Sequence, residues 1–162
     1  MVPNKIIQSV YNASVEAISV KTSFAEIQVS SLDIANYDND LEFEITKISE
    51  EGLGDAAFEF TIKEKQGEIE TFSQDLLIKI PYKLKEGERK ENITVYYKAP
   101  NGKVENVIGF YDEETETVNF KTKHLSLFFV SMNYANFNDN NQDWAKKFID
   151  SMSSKEIVRG VG

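Results

Sequence analysis

His124, Leu125 and Ser126 are the residues whose types and spacing most invite chemistry. A serine hydroxyl can attack the carbonyl of the residue before it while a nearby imidazole takes its proton. Ser126 would add to the carbonyl of Leu125, His124 would be the base, and the chain would split between Leu125 and Ser126. That step needs a strained turn that presses the hydroxyl onto the carbonyl carbon. The plainer reading of the same residues is a structural corner, in which His124 and Ser126 bond backbone groups at the mouth of the last strand. The sequence favours the corner, so no catalytic residue is expected.

Other chemistry has little to work with. The chain has no cysteine and a single histidine, which removes thiol nucleophiles and thiolate metal sites and forces any Ser-His-Asp triad through His124. No Gly-x-Ser-x-Gly elbow is present. Asp38-Asn39-Asp40 and Asn138-Asp139-Asn140-Asn141 carry oxygen ligands of the kind that suit calcium. Neither fits a twelve-residue calcium loop, and both read as turn and cap residues. Tyr82, Tyr96, Tyr97 and Tyr111 could make an aromatic platform for sugars, but packing within sheets is the default for tyrosine. No cofactor and no metal are expected.

The formal charge of −9 on 162 residues repels phosphate backbones, so nucleic acid is not an expected partner. No apolar run approaches the roughly 20 residues that span a bilayer. Met1-Val2-Pro3-Asn4 lacks the basic and apolar regions of a signal peptide, which leaves a cytosolic protein or a piece of a longer precursor; the C-terminal motifs described below favour the piece.

The elements that must position these residues are strands. Ala25, Ile27 and Val29 alternate with polar residues, as do Leu41, Phe43 and Ile45, then Phe58, Phe60 and Ile62, then Ile93, Val95 and Tyr97, then Val118 and Phe120. Each run offers one apolar face that a second sheet must cover. Leu76-Leu77-Ile78-Lys79-Ile80 is apolar at nearly every position and Leu125 to Val130 is apolar on both faces; the two are predicted to lie centrally or beneath the linker that follows. Val10 to Val20 is read as a further strand, and Leu32 to Tyr37 as one helical turn. Asn101-Gly102 signals a hairpin, and Asp112 to Thr115 a turn. The fold class is all-β, an antiparallel β-sandwich over residues 1–133.

Residues 134–162 differ in composition. Asn136 to Asp143 reads as a linker with caps, and Trp144, Ala145, Phe148, Ile149 and Met152 form one stripe of an amphipathic helix. This is expected to be the only substantial helix. Its stripe is expected to dock on the sandwich or to pair copies of the chain through Trp144, Phe148 and Met152.

Phe137-Asn138-Asp139, Asp143-Trp144-Ala145, Phe148-Ile149, Ile157-Val158 and Gly160-Val161-Gly162 follow in order and resemble the first half of an S-layer homology repeat. The resemblance implies that Trp144 is a buried position of the first helix. It also implies that repeats downstream, and not this chain, grip secondary cell-wall polysaccharide, because the chain stops at Gly162 before the Thr-Arg-Ala-Glu-like motif. A second likeness covers roughly Val20 to Met132. Ile78 to Tyr82, Ile93 to Tyr97, Gly109 to Asp112 and Val118 to Ser126 are similar to the ZU5-like β-rich domain that precedes such repeats in exported proteins. Its closing segment carries Phe where Leu125 stands. His-Leu-Ser also resembles the self-cleavage point of autoproteolytic GAIN domains. Together these imply a secreted, non-catalytic spacer of the cell wall or S-layer. A carbohydrate-binding or adhesion module and a self-cleaving domain are the alternatives.

Overall fold

A computed structural model describes residues 1–54, 56–134 and 143–157. The elements run in this order: helix α1 (Asn4–Asn12), strands β1 (Ala17–Lys21) and β2 (Glu26–Ser30), the single turn α2 (Ser31–Ile34), then β3 (Glu42–Lys47), β4 (Ala57–Glu64) and the short β5 (Gly67–Glu68). There follow β6 (Thr71–Pro81), a 3-10 turn (Lys90–Asn92), β7 (Ile93–Lys98), β8 (Val104–Asn106), β9 (Phe110–Asp112), β10 (Thr117–His124), β11 (Leu127–Met132) and helix α3 (Asp143–Ser154). Among the described residues the strands form two antiparallel sheets, β1-β2-β6-β10-β9 and β3-β4-β11-β7-β8, with β5 hydrogen-bonded to β4. This is the all-β sandwich that the period of two predicts.

The alternating residues meet between the sheets. Ile27, Ile78, Ile80, Val118 and Phe120 from the first sheet pack against Phe60, Val95, Phe128 and Val130 from the second. Burying each such side chain stabilises the fold by about 1.5–3 kcal/mol relative to leaving it in water. The two doubly apolar runs become β6 and β11, the middle strands of their sheets. The outward side of β11 has its own cover, for Phe129 packs with Leu53 and Ala57 on the outer face of the second sheet.

A second cluster seals one end of the sandwich, with Ile7 of α1 and Ile34 of α2 against Val29, Ile62, Phe72 and Leu76. Here the sequence reading is corrected. Val10 to Val20 is not one strand: Asn4–Asn12 is a helix, and only Ala17–Lys21 is extended. A second substantial helix beside the C-terminal one therefore ends within this stretch. Ile6, Ile7, Val10 and Tyr11 do recur at a helical spacing, and burial of Ile7 anchors them.

The chain passes repeatedly from one sheet to the other. At Gly109, between β8 and β9, a Cβ would come within 2.5 Å of the Val95 side chain, so only glycine fits the crossing. The Asn101-Gly102 hairpin joins β7 to β8 as its sequence predicts, with the Gly102 amide donating to the Ala99 carbonyl at 2.8 Å. No helix among the described residues is long and apolar enough to cross a membrane.

Candidate functional site

The last crossing between the sheets is the His124–Ser126 corner, between β10 and β11. The pairing of β10 with β6 slips between Thr122 and His124. The Thr122 hydroxyl spans the irregularity, accepting from the His124 amide at 3.3 Å and donating to the His124 carbonyl at 3.0 Å. The Leu125 amide donates to the Glu70 carbonyl at 3.3 Å, just before β6, and the Ser126 carbonyl accepts from the Phe60 amide of β4 at 3.0 Å. Two consecutive residues are thus tied to opposite sheets. Leu125 packs against both core clusters.

The imidazole departs from the expected hydrogen bond. Its ring stands edge-on to Tyr97 at 4.5 Å between centroids and stacks near Phe128 at 5.7 Å. Among the described residues it has ring neighbours, and no hydrogen bond joins it to Ser126. Left-handed backbone at non-glycine residues falls elsewhere, at Ser14, Ile108, Glu116 and Glu156.

The tyrosines do not assemble. Tyr96 stacks on Phe129 at 5.6 Å on the outer face of the second sheet, while Tyr97, Tyr82 and Tyr111 pack against the inner core. The Tyr82 hydroxyl donates to Glu88 at 2.8 Å. Asp40, offered by the sequence as an oxygen ligand, accepts the Asn4 amide at 2.8 Å and so caps the start of α1. Asn138 to Asn141 lies outside the described residues, as do Phe137 and Gly160 to Gly162.

Helix α3 does dock on the sandwich, but through its polar side. Arg89 pairs with Asp150 at 3.0 Å, and the Ser154 hydroxyl donates to the Glu91 carbonyl at 2.9 Å. Asn106 and Asn133 both donate to the Ser154 carbonyl. Lys155 is buried, with its ammonium 3.1 Å from the Ser151 hydroxyl and within 3.5 Å of the Glu91 and Ile93 carbonyls. Burial lowers its pKa, a pull that the Glu91 carboxylate partly opposes. Two residues of the apolar stripe are left outside, Phe148 at 70% and Met152 at 39% exposure. The expected docking through the stripe is corrected at these two residues. The Trp144 side chain lies outside the described residues.

A feature the sequence did not single out occupies the outer face of the first sheet. Ser19 of β1, Gln28 of β2, Leu77 of β6 and Lys121 of β10 form one cross-strand row. Over it lies an open cavity of about 1020 Å³, walled by Tyr11 and the segment from Ser14 to Ala17, and by Leu32, Gln74 and Asp75. A smaller apolar hollow of about 330 Å³ continues past Leu77 and Lys121 to Ile108 and Phe110. Asp33 braces one wall, accepting from the Ser73 amide at 2.9 Å, the Ser73 hydroxyl at 2.5 Å and the Gln74 amide at 3.0 Å. Burial pushes the Asp33 carboxyl up, but these hydrogen bonds together outweigh it and hold the group below the ordinary carboxylate range. The signal available in the sequence was Leu77, an apolar residue at a position whose neighbours Leu76 and Ile78 already fill the inner face.

No family model matches the chain, and no curated protein and no solved structure matches it.

Proposed function

We propose that this chain is a non-catalytic structural module of an exported cell-surface protein, a rigid sandwich that spaces neighbouring domains beside wall-anchoring repeats. The observation that supports it is the corner at Leu125 and Ser126, whose backbone groups are spent on tying one sheet to the other. These ties support reading the residues with the most chemical promise as architecture. The S-layer setting rests on the likeness of Asp143-Trp144-Ala145 and its flanking motifs to the opening of a wall-binding repeat. In that setting downstream repeats hold the wall polysaccharide, and the acidic surface keeps the module soluble and clear of nucleic acid.

Weak pairing of copies belongs to the same reading, because Phe148 and Met152 leave apolar area in water. Two side chains offer far less than the roughly 800 Å² per partner of a stable complex. Sedimentation is expected to show monomers at micromolar concentration and a Phe148-dependent shift only when concentrated. A tight dimer that survives Phe148→Ser would remove this part.

The location is tested by labelling intact cells that make the protein with an antibody against the sandwich, alongside fractionation of wall and cytosol. Surface labelling and recovery with the wall are expected. Confinement to the cytosol would end the reading.

A further inference from the structure

We propose that the outer face of the first sheet is a binding groove for an uncharged oligosaccharide, laid across the strands along the row Gln28–Leu77–Lys121. The inference goes beyond the spacer reading and does not depend on it.

The two neighbouring rows of this face differ. In one, Glu26 pairs with Lys79 at 3.6 Å and also accepts, at 2.7 Å, from Ser19 at the end of the adjoining row, so its carboxylate is already engaged. In the other, Ser19 is so engaged, but no hydrogen bond among the described residues engages the side chains of Gln28 or Lys121, nor that of Gln74 in the cavity wall. Leu77 lies between them as an apolar floor. Primary amides both donate and accept, which is what a sugar hydroxyl requires of a partner. The cavity continues toward a ring at each end, Tyr11 at 43% and Phe110 at 57% exposure. The electron-rich faces of such rings suit the C–H faces of sugar rings, and Phe110, with the Lys155 ammonium 5.0 Å from its centroid on one side, has one face left for that contact. Five strands at about 4.8 Å spacing make the face roughly 19 Å wide, which suits a chain of sugars better than a single one.

Other occupants fit less well. Glu16 and Asp75 outnumber Lys121 among the charges of the larger cavity, so a polyanion would be repelled. An extended peptide gains most of its affinity from backbone hydrogen bonds at a sheet edge. Here the backbone groups of β2, β6 and β10 are consumed by their own ladders.

The test is an amide NMR titration of the full chain with cello-, chito- and malto-hexasaccharides, with polyphosphate and an unstructured Ser/Thr-rich peptide as competitors. Saturable shifts centred on Gln28, Leu77 and Lys121 are expected with at least one of the three sugars and with neither competitor. Gln28→Ala and Tyr11→Ala are each expected to weaken binding about fivefold, the loss of one hydrogen bond or ring contact. Lys103→Ala, in the hairpin between β7 and β8 of the other sheet, is expected to change nothing. Gln28 is half-buried on the outer face and belongs to neither core cluster, so its variant reports on binding even if Tyr11→Ala disturbs α1. No shift with any of the three sugars, shifts with a competitor alone, or sugar binding indifferent to both variants would each overturn the proposal. None of these results bears on surface display, so the two readings fail separately.

Discussion

Arg89 and Asp150 meet at 3.0 Å across the junction of the sandwich and α3, with the Asp150 side chain almost wholly buried and Arg89 half exposed. The pair lies among polar contacts and holds a helix whose Phe148 and Met152 face water. Removing Arg89 strands a carboxylate in the junction. Arg89→Ala is expected to weaken docking of α3 by about 1–2 kcal/mol. Hydrogen exchange over residues 143–157 should then speed up while β6 and β10 stay protected. Unchanged exchange in the helix would mean that the pair contributes nothing to docking.

Asp33 gives the groove wall a dependence on pH. Its folded pKa lies below the unfolded value, so the contribution of the carboxylate is fully present above about pH 4 to 5 and is lost as pH falls through the folded pKa. Asp33→Ala is expected to cost about 1–2 kcal/mol near neutrality, through the orphaned amides of Ser73 and Gln74. Denaturant melts of wild type and variant should converge on acidification. A gap that widens toward low pH would contradict the sign.

What the sequence made legible follows from which force was at work. Alternation in Ile93–Tyr97 or Phe58–Ile62 reports a face buried by another sheet, and these became β7 and β4. The doubly apolar runs at Leu76 and Phe128 marked the central strands for the same reason. Helix α1 was hidden because Pro3 begins it without a side-chain cap and no glycine ends it. Its cap comes from Asp40, 36 residues away. The groove was hidden because its row of Ser19, Gln28, Leu77 and Lys121 comes from four separate strands, and only register brings them together. Docking of α3 was expected on apolar grounds. It is instead made by Asp150, Ser154 and Lys155, whose partners no periodicity reveals.

The two longer helices end alike. In α1 the Ser14 amide donates to Tyr11 and the Val15 amide to Val10, with Ser14 at φ 57°. In α3 the Glu156 amide donates to Ser153 and the Ile157 amide to Met152, with Glu156 at φ 57°. Both are Schellman closures with a side chain where glycine is usual. A Cβ in left-handed backbone is costly, so Ser14→Gly is expected to raise stability by about 0.5–1 kcal/mol. Glu156→Gly should gain less, because Glu156 also accepts from the Tyr96 hydroxyl at 3.3 Å. Thermal melts of the two variants rank them, and a loss of stability in Ser14→Gly would contradict the strain.

The His124 corner separates architecture from chemistry. If the imidazole serves packing, its removal should be felt as a void between Tyr97 and Phe128, and His124→Ala is expected to cost about 1–3 kcal/mol. His124→Phe should recover part of that, since a ring of similar shape can meet the same neighbours. Ser126→Ala should be nearly neutral, because it is the Ser126 carbonyl and not its hydroxyl that accepts from Phe60. Self-cleavage makes the opposite demands. Wild type would split slowly between Leu125 and Ser126, either Ala variant would stop the split, and His124→Phe would rescue nothing because it carries no base. The released β11 would stay paired with β4 and β7, so the pieces would co-purify until denatured. Denaturing gels and intact mass of aged wild type and the three variants decide between them. One species of 18.5 kDa in every wild-type sample is expected, and a second band that vanishes in Ser126→Ala would overturn the structural reading of the corner.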